Sequence, residues 1–170
     1  MTKTKRGTRA AAATPRSRGR IRERPPAFTA SDGQIRYVET SALVAAALEG
    51  DLPAQRSVRG PGRVITSALT HAEAARAALR ARATGRVSSA EAHALANALA
   101  TFARRCETVA LGEQILMRVG RSFPVEPVRT LDAIHLATVE LLGVEPGSVT
   151  VVTRDRRVRE NARAMGWRTE

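Results

Sequence analysis

Lysine is almost absent from this chain. Lys3 and Lys5 are its only two, both close to the N-terminus. The rest therefore offers no lysine for a phosphate-binding loop, a Schiff base or a haloacid-dehalogenase-type phosphatase, and the glycines fit no phosphate-cradling pattern. Cys106 is the single cysteine. It excludes an internal disulfide and points to a reducing, cytoplasmic setting. Aromatic residues are 3% of the chain (Phe28, Tyr37, Phe102, Phe123 and Trp167), too few for an extended base-stacking platform. The longest uncharged, apolar-leaning stretch, Thr40 to Leu48, is too short to span a bilayer. No apolar segment follows the basic N-terminus, so no secretory signal is expected.

Arginine is abundant instead. Lys and Arg number 28 against 16 acids, a net charge of +12, and residues 1–34 hold +7 of it. That segment lacks periodic hydrophobicity and reads as a flexible basic arm. A transit-peptide-like segment and an over-extended start are the alternatives. The basic balance of both parts suits a polyanion such as nucleic acid; a solvated, arginine-rich surface is the plainer explanation. The other 136 residues, 43% of the whole chain being apolar, suit one domain over 35–170.

Short β-prone runs alternate with helical segments from residue 35 onward. Ile35–Val38 reads as a strand, followed by a small-residue helix over Thr40–Leu48 that Gly50 and Pro53 end. Arg63–Thr66 is a second strand and Leu69–Thr84 a helix. Ser88 and Glu91 form a capping box for a helix running to about Arg105. A strand over Glu107–Leu111 and a helix over Gly112–Val119 follow. Thr130 caps a long helix through Leu142, and Ser148–Thr153 is the clearest strand. A helix over Arg156–Met165 precedes a short strand near Trp167. This alternation predicts an α/β sandwich around a parallel sheet.

Against that background four carboxylates stand out. Glu39 ends the first strand, Asp155 follows the last long one, and Glu73 and Asp132 lie in early turns of helices. Ligands of open parallel sheets bind beyond the carboxyl ends of the strands. Each helix N-terminus stabilises an anion by about 0.3–1 kcal/mol, too little to hold several carboxylates in one pocket, because like charges repel. A divalent cation would resolve the conflict. Oxygen ligands favour Mg²⁺ or Mn²⁺ over zinc, since Cys106, His71, His93 and His135 show no clustered spacing. The competing explanation pairs each acid with a nearby arginine: Arg36, Arg76, Arg129 or Arg154. His135, on an apolar helix, reads as a packed, hydrogen-bonded core histidine. His71 lies two residues from Glu73 and so faces another side of its helix.

The segments YVETSALV, SALTHAEAARAAL, LDAIHLATVELLG and VVTRDRRVRENARAMGW, in this order over residues 35–168, resemble the PIN domain of VapC-type toxins. The resemblance implies a three-layer α/β/α sandwich with a short, mostly parallel central sheet. It implies an endoribonuclease whose Glu39, Glu73, Asp132 and Asp155 are both the metal ligands and the catalytic residues for Mg²⁺ or Mn²⁺. RNA would be the substrate, a cognate antitoxin the partner, and a homodimer the working form. Thr40, Ser41 and Thr153 match hydroxyl residues beside these acids, placed to hydrogen-bond them. One departure is Glu39, where the family has Asp; another is Ala45 to Ala47, where the family often has a basic residue.

The chemistry implied is metal-assisted phosphodiester hydrolysis. Glu39, Asp132 and Asp155 would hold the ion or ions, and Glu73 would complete the shell or orient water, with no histidine base required. Arginines would contact phosphates without reading sequence. Glu39 also keeps open a catalytically impaired RNA- or antitoxin-binding module. An aspartyl phosphatase fits poorly, because it needs Asp at position 39 and a core lysine.

Overall fold

A computed structural model describes residues 21–22 and 34–170; the remainder of the expected arm lies outside the described residues. Among the described residues six parallel strands form one sheet: β1 (Ile21–Arg22), β2 (Ile35–Val38), β3 (Arg63–Ser67), β4 (Glu107–Val109), β5 (Val149–Val152) and β6 (Arg168–Thr169). Their spatial order is β1-β4-β3-β2-β5-β6, and every pairing is parallel.

Seven α-helices among the described residues pack around them: α1 (Thr40–Leu48), α2 (Leu52–Arg59), α3 (Ala68–Ala83), α4 (Ser89–Arg105), α5 (Glu113–Val119), α6 (Thr130–Glu140) and α7 (Arg156–Ala164). Helices cover both faces of the sheet. Ile35, Tyr37, Val149 and Val151 join one core with α5, α6 and α7. Val38, Val64 and Val152 join a second core with α1, α3 and α4. Both faces of the sheet are covered, so β2 and β5 are largely apolar and even their polar residues, Arg36 and Thr150, are buried. The expected α/β/α sandwich is therefore observed.

Two local expectations are corrected. Pro53 does not end a helix; it lies in the first turn of α2, where its missing N–H costs nothing. Asp51 caps α2 by accepting from the Ala54 amide at 2.9 Å. Arg129, not Thr130, is the N-cap of α6, and it makes no side-chain cap bond. The α6 helix is buried continuously from Ala133 to Val139, while Leu131 in its first turn is 47% exposed. The Ser88–Glu91 capping box at α4 forms as expected.

Leu136 is fully buried in the first core. Leu136→Ala is expected to cost about 2–5 kcal/mol, the usual range for a buried leucine. The shift of the urea midpoint measures it.

In a parallel sheet each connecting helix runs back against the strands, so helix N-termini gather at the strands' carboxyl edge. Here β2 is flanked by β3 on one side and β5 on the other. The chain reverses its winding between β2 and β5, where such sheets open a crevice. Glu39 and Asp155 follow these two strands.

Candidate active site

Glu39 directly follows β2 and is the N-cap of α1. Its Oε1 accepts from the Ser41 amide at 2.9 Å. Its Oε2 accepts from the Ser41 hydroxyl and, at 2.8 Å, from the Thr153 hydroxyl. Ser41 Oγ itself accepts from the Arg154 and Asp155 amides at 2.8 and 3.0 Å, and Thr153 Oγ1 accepts from the Asp155 amide at 3.0 Å. The turns after β2 and β5 are thus tied together through one carboxylate. The parallel register pairing Val38 with Val152 brings them there.

Asp155 caps α7 through Oδ1, which accepts from the Arg157 and Val158 amides at 2.8 and 3.1 Å. Glu73, in the second turn of α3, accepts from the Thr40 hydroxyl at 2.5 Å and faces His135 Nε2 at 3.1 Å. Burial pushes its carboxyl pKa up, but the hydrogen bonds from His135 and Thr40 outweigh burial, and the net position is below the ordinary value.

Asp132 differs from the other three. Its Oδ2 is buried with no hydrogen-bond partner among the described residues. Burial raises its pKa most, and repulsion from Asp155 and then Glu39 raises it further; attraction from Arg129 and His135 offsets only part. Asp132, Asp155 and Glu39 therefore lie within electrostatic reach of one another.

The arginine explanation does not hold for these acids. Arg36 is engaged by Glu170 at 2.5 Å and by the Ser57 carbonyl. Arg154 pairs with Asp51 at 2.9 Å. Among the described residues no arginine ion-pairs with Glu39, Glu73, Asp132 or Asp155.

His135 corrects the sequence reading that left the histidines out of the site. It is a buried, hydrogen-bonded core residue, as expected, yet its Nε2 also faces the acids, 3.1 Å from Glu73 and 3.7 Å from Glu39. Ligand atoms of Glu39, Glu73 and His135 all lie within 4.8 Å of one another. The signal was present in the sequence: His135 is three residues after Asp132 on one helix, which places both on one face. His71 is turned elsewhere, toward Thr108 Oγ1 at 2.9 Å.

The fit to a cation rests on the chemistry of these donors. Several carboxylate oxygens converge, one of them buried and unpartnered, and their mutual repulsion is incompletely offset. An acidic cluster of this kind could hold a metal ion.

The PIN domain family matches residues 36–164. Ribonuclease VapC46 of Mycobacterium tuberculosis is 35% identical over 137 residues, covering 76% of this chain and 92% of the relative. Ribonuclease VapC35 of the same species is 36% identical over 133 residues, covering 76% and 90%. Among solved structures, VapBC2 from Rickettsia felis bound to a promoter DNA fragment is similar in fold. Its TM-score is 0.57 at 12% identity, over 81% of this chain and 98% of that one. An α/β/α sandwich that sets Glu39 and Glu73 beside His135, and Asp132 within electrostatic reach of Asp155 and Glu39, is matched over most of its length by ribonucleases: the chain is a member of the PIN domain family and belongs with the VapC ribonucleases.

Proposed function

We propose that this ribonuclease is the toxin of a type II toxin–antitoxin pair, cutting RNA internally with Mg²⁺ or Mn²⁺ held by Glu39, Glu73, Asp132 and Asp155. The observation that supports this most is the buried, unpartnered Oδ2 of Asp132 beside two further carboxylates. When bound, the ion would supply Lewis acidity toward the scissile phosphate and lower the pKa of water.

The chain's own groups supply the rest. Ser41 and Thr153 fix the direction of the Glu39 carboxylate. The α7 amides hold Asp155 by one oxygen, and Thr40 and His135 hold Glu73. A carboxylate whose orientation is set beforehand loses little freedom when it takes up a cation or orients water.

An antitoxin is the proposed partner, by analogy with the Rickettsia felis complex, and a homodimer the proposed assembly. Exposed Leu116 and Met117 on α5 offer apolar surface for such contacts. No described helix is long and apolar enough to cross a membrane, and we place the enzyme in the cytoplasm. The direct test is cleavage of single-stranded RNA with Mg²⁺, with Mn²⁺ and with excess chelator. Cleavage under chelator would overturn the metal role. A small adjacent reading frame encoding a DNA-binding protein would support the toxin role.

One observation favours a second reading, an RNA- or antitoxin-binding module with impaired catalysis. Glu39 is folded back onto the N-terminus of its own helix. RNA binding without metal-stimulated cleavage would select that reading.

The arm adds a separate expectation. Residues 1–20 carry seven basic residues and no acid. Their removal leaves β1 in place and is expected to weaken RNA binding while preserving the metal requirement. Each lost phosphate contact lowers the log–log salt slope by about 0.7 for a single strand. Affinities measured across a salt series test it, and equal slopes with and without the arm would make it passive.

A further inference from the structure

Tyr37, buried behind His135, is a group that the proposed chemistry leaves unused. Both are almost wholly shielded from solvent. The Tyr37 hydroxyl lies 2.8 Å from His135 Nδ1, and the rings meet edge-on at 6.1 Å and 67°. The other ring nitrogen, Nε2, looks out on oxygens only: Glu73 Oε2 at 3.1 Å, Thr40 Oγ1 at 3.2 Å and Glu39 Oε1 at 3.7 Å.

A nitrogen lone pair aimed at two carboxylates would be repelled, so Nε2 carries the proton and donates. In the neutral ring Nδ1 then bears the lone pair and needs a donor. Tyr37 is the group within reach. A phenol keeps its proton at neutral pH, so the hydroxyl 2.8 Å away is available to donate.

We propose that Tyr37 is a positioning residue acting through His135: its hydroxyl holds the imidazole in the Nε2–H tautomer, and Nε2–H in turn fixes the Glu73 carboxylate against Thr40, facing Glu39. The tyrosine is on β2 and the histidine on α6, whereas the carboxylate is on α3. The relay therefore joins three elements of the fold and sets an acid on one of them by a hydroxyl on another. Partners of this kind behind ligating groups typically change metal affinity or activity by about 10–100-fold when removed.

The metal half of the test rests on the reading of Glu73 as a ligand; the tautomer half does not. Full-length wild type, Tyr37→Phe, His135→Gln and the double variant are compared. Long-range ¹⁵N–¹H spectra, recorded above the ordinary histidine pKa, read the ring directly. In wild type, His135 is expected to show a single Nε2–H tautomer. In Tyr37→Phe the tautomers are expected to mix, and the Nε2 proton to exchange faster. An unchanged tautomer and exchange rate in Tyr37→Phe would overturn the relay.

Mn²⁺ binding is followed by the electron spin resonance of the free ion. Tyr37→Phe is expected to bind about tenfold more weakly, at the lower end of that range, with kcat falling and KM little changed. Glutamine at position 135 can donate its own amide to Glu73 without help. Tyr37→Phe should therefore add nothing in the His135→Gln background, whereas an equal loss in both backgrounds would show that Tyr37 does not act through His135. Wild type that fails to bind Mn²⁺ would overturn the metal reading of Glu73 and leave the ring spectra to decide the relay.

Discussion

Asp132→Asn is expected to reduce RNA cleavage to background in Mg²⁺ or Mn²⁺, yet to raise the melting temperature of the metal-free protein. The two effects have one cause. The Asp132 carboxylate is partly buried, one of its oxygens is unpartnered, and Asp155 and Glu39 repel its charge. Its folded-state pKa therefore lies above its unfolded one. The unfolded chain releases the proton first as pH rises, so ionisation costs the fold stability across the interval between the two pKa values and at all higher pH. Below that interval the cost vanishes, and wild type and variant should converge. Asn keeps the shape and carries no charge, so it removes the cost and also the charge a cation would need. Thermal melts with chelator across the acidic range, together with single-turnover cleavage with each metal, check both halves. Cleavage surviving the substitution would exclude Asp132 from the chemistry. An unchanged melting temperature near neutral pH would show that the repulsion is relieved by another route.

The sequence revealed most where one segment decides the outcome. Ile35–Val38 and the run ending at Val152 were legible as strands because β-branched and aromatic residues dominate both, with Arg36 the one charged residue between them, as burial on both faces favours. The four acids stood out as candidates because Glu39 and Asp155 follow strands and Glu73 and Asp132 lie in early turns of helices. A parallel sheet sends all such positions to one edge. The α2 helix was missed because Gly50 and Pro53 read as breakers, although proline in a first turn is compatible with a helix and Asp51 supplies the cap.

The interior wiring was not legible. Ser41 and Thr153 are 112 positions apart, and Tyr37 and His135 are 98 apart. Their contacts depend on the strand order and on how α6 settles against β2. Local spacing constrains neither. The i, i+3 relation of Asp132 and His135 was in plain view, but an apolar helix makes a histidine look like core. Here it is core and site together.

Glu39→Gln is expected to abolish cleavage and cost about 1–3 kcal/mol, the range for leaving a buried donor unsatisfied, whereas Glu39→Asp should keep or increase activity. Ser41 Oγ already accepts from two backbone amides, so its single proton can only be given, and it is given to Glu39 Oε2. Thr153 gives its proton to the same oxygen, while Oε1 takes the Ser41 amide. Every group hydrogen-bonded to this carboxylate is a donor. A glutamine must turn its NH₂ toward one of these sets of donors, and either orientation sets donor against donor. Aspartate remains acceptor-only. It is also a preferred N-cap, and at this position it restores the length usual in the family. Its shorter reach would trade some of the grip of Ser41 and Thr153 for a carboxylate standing further back from α1. Denaturation midpoints and cleavage rates for the two variants separate charge from length. A glutamine variant as active as wild type would remove Glu39 from the site and leave Asp132, Asp155 and Glu73 to carry it. An inactive aspartate variant would show that the added methylene is required by this pocket.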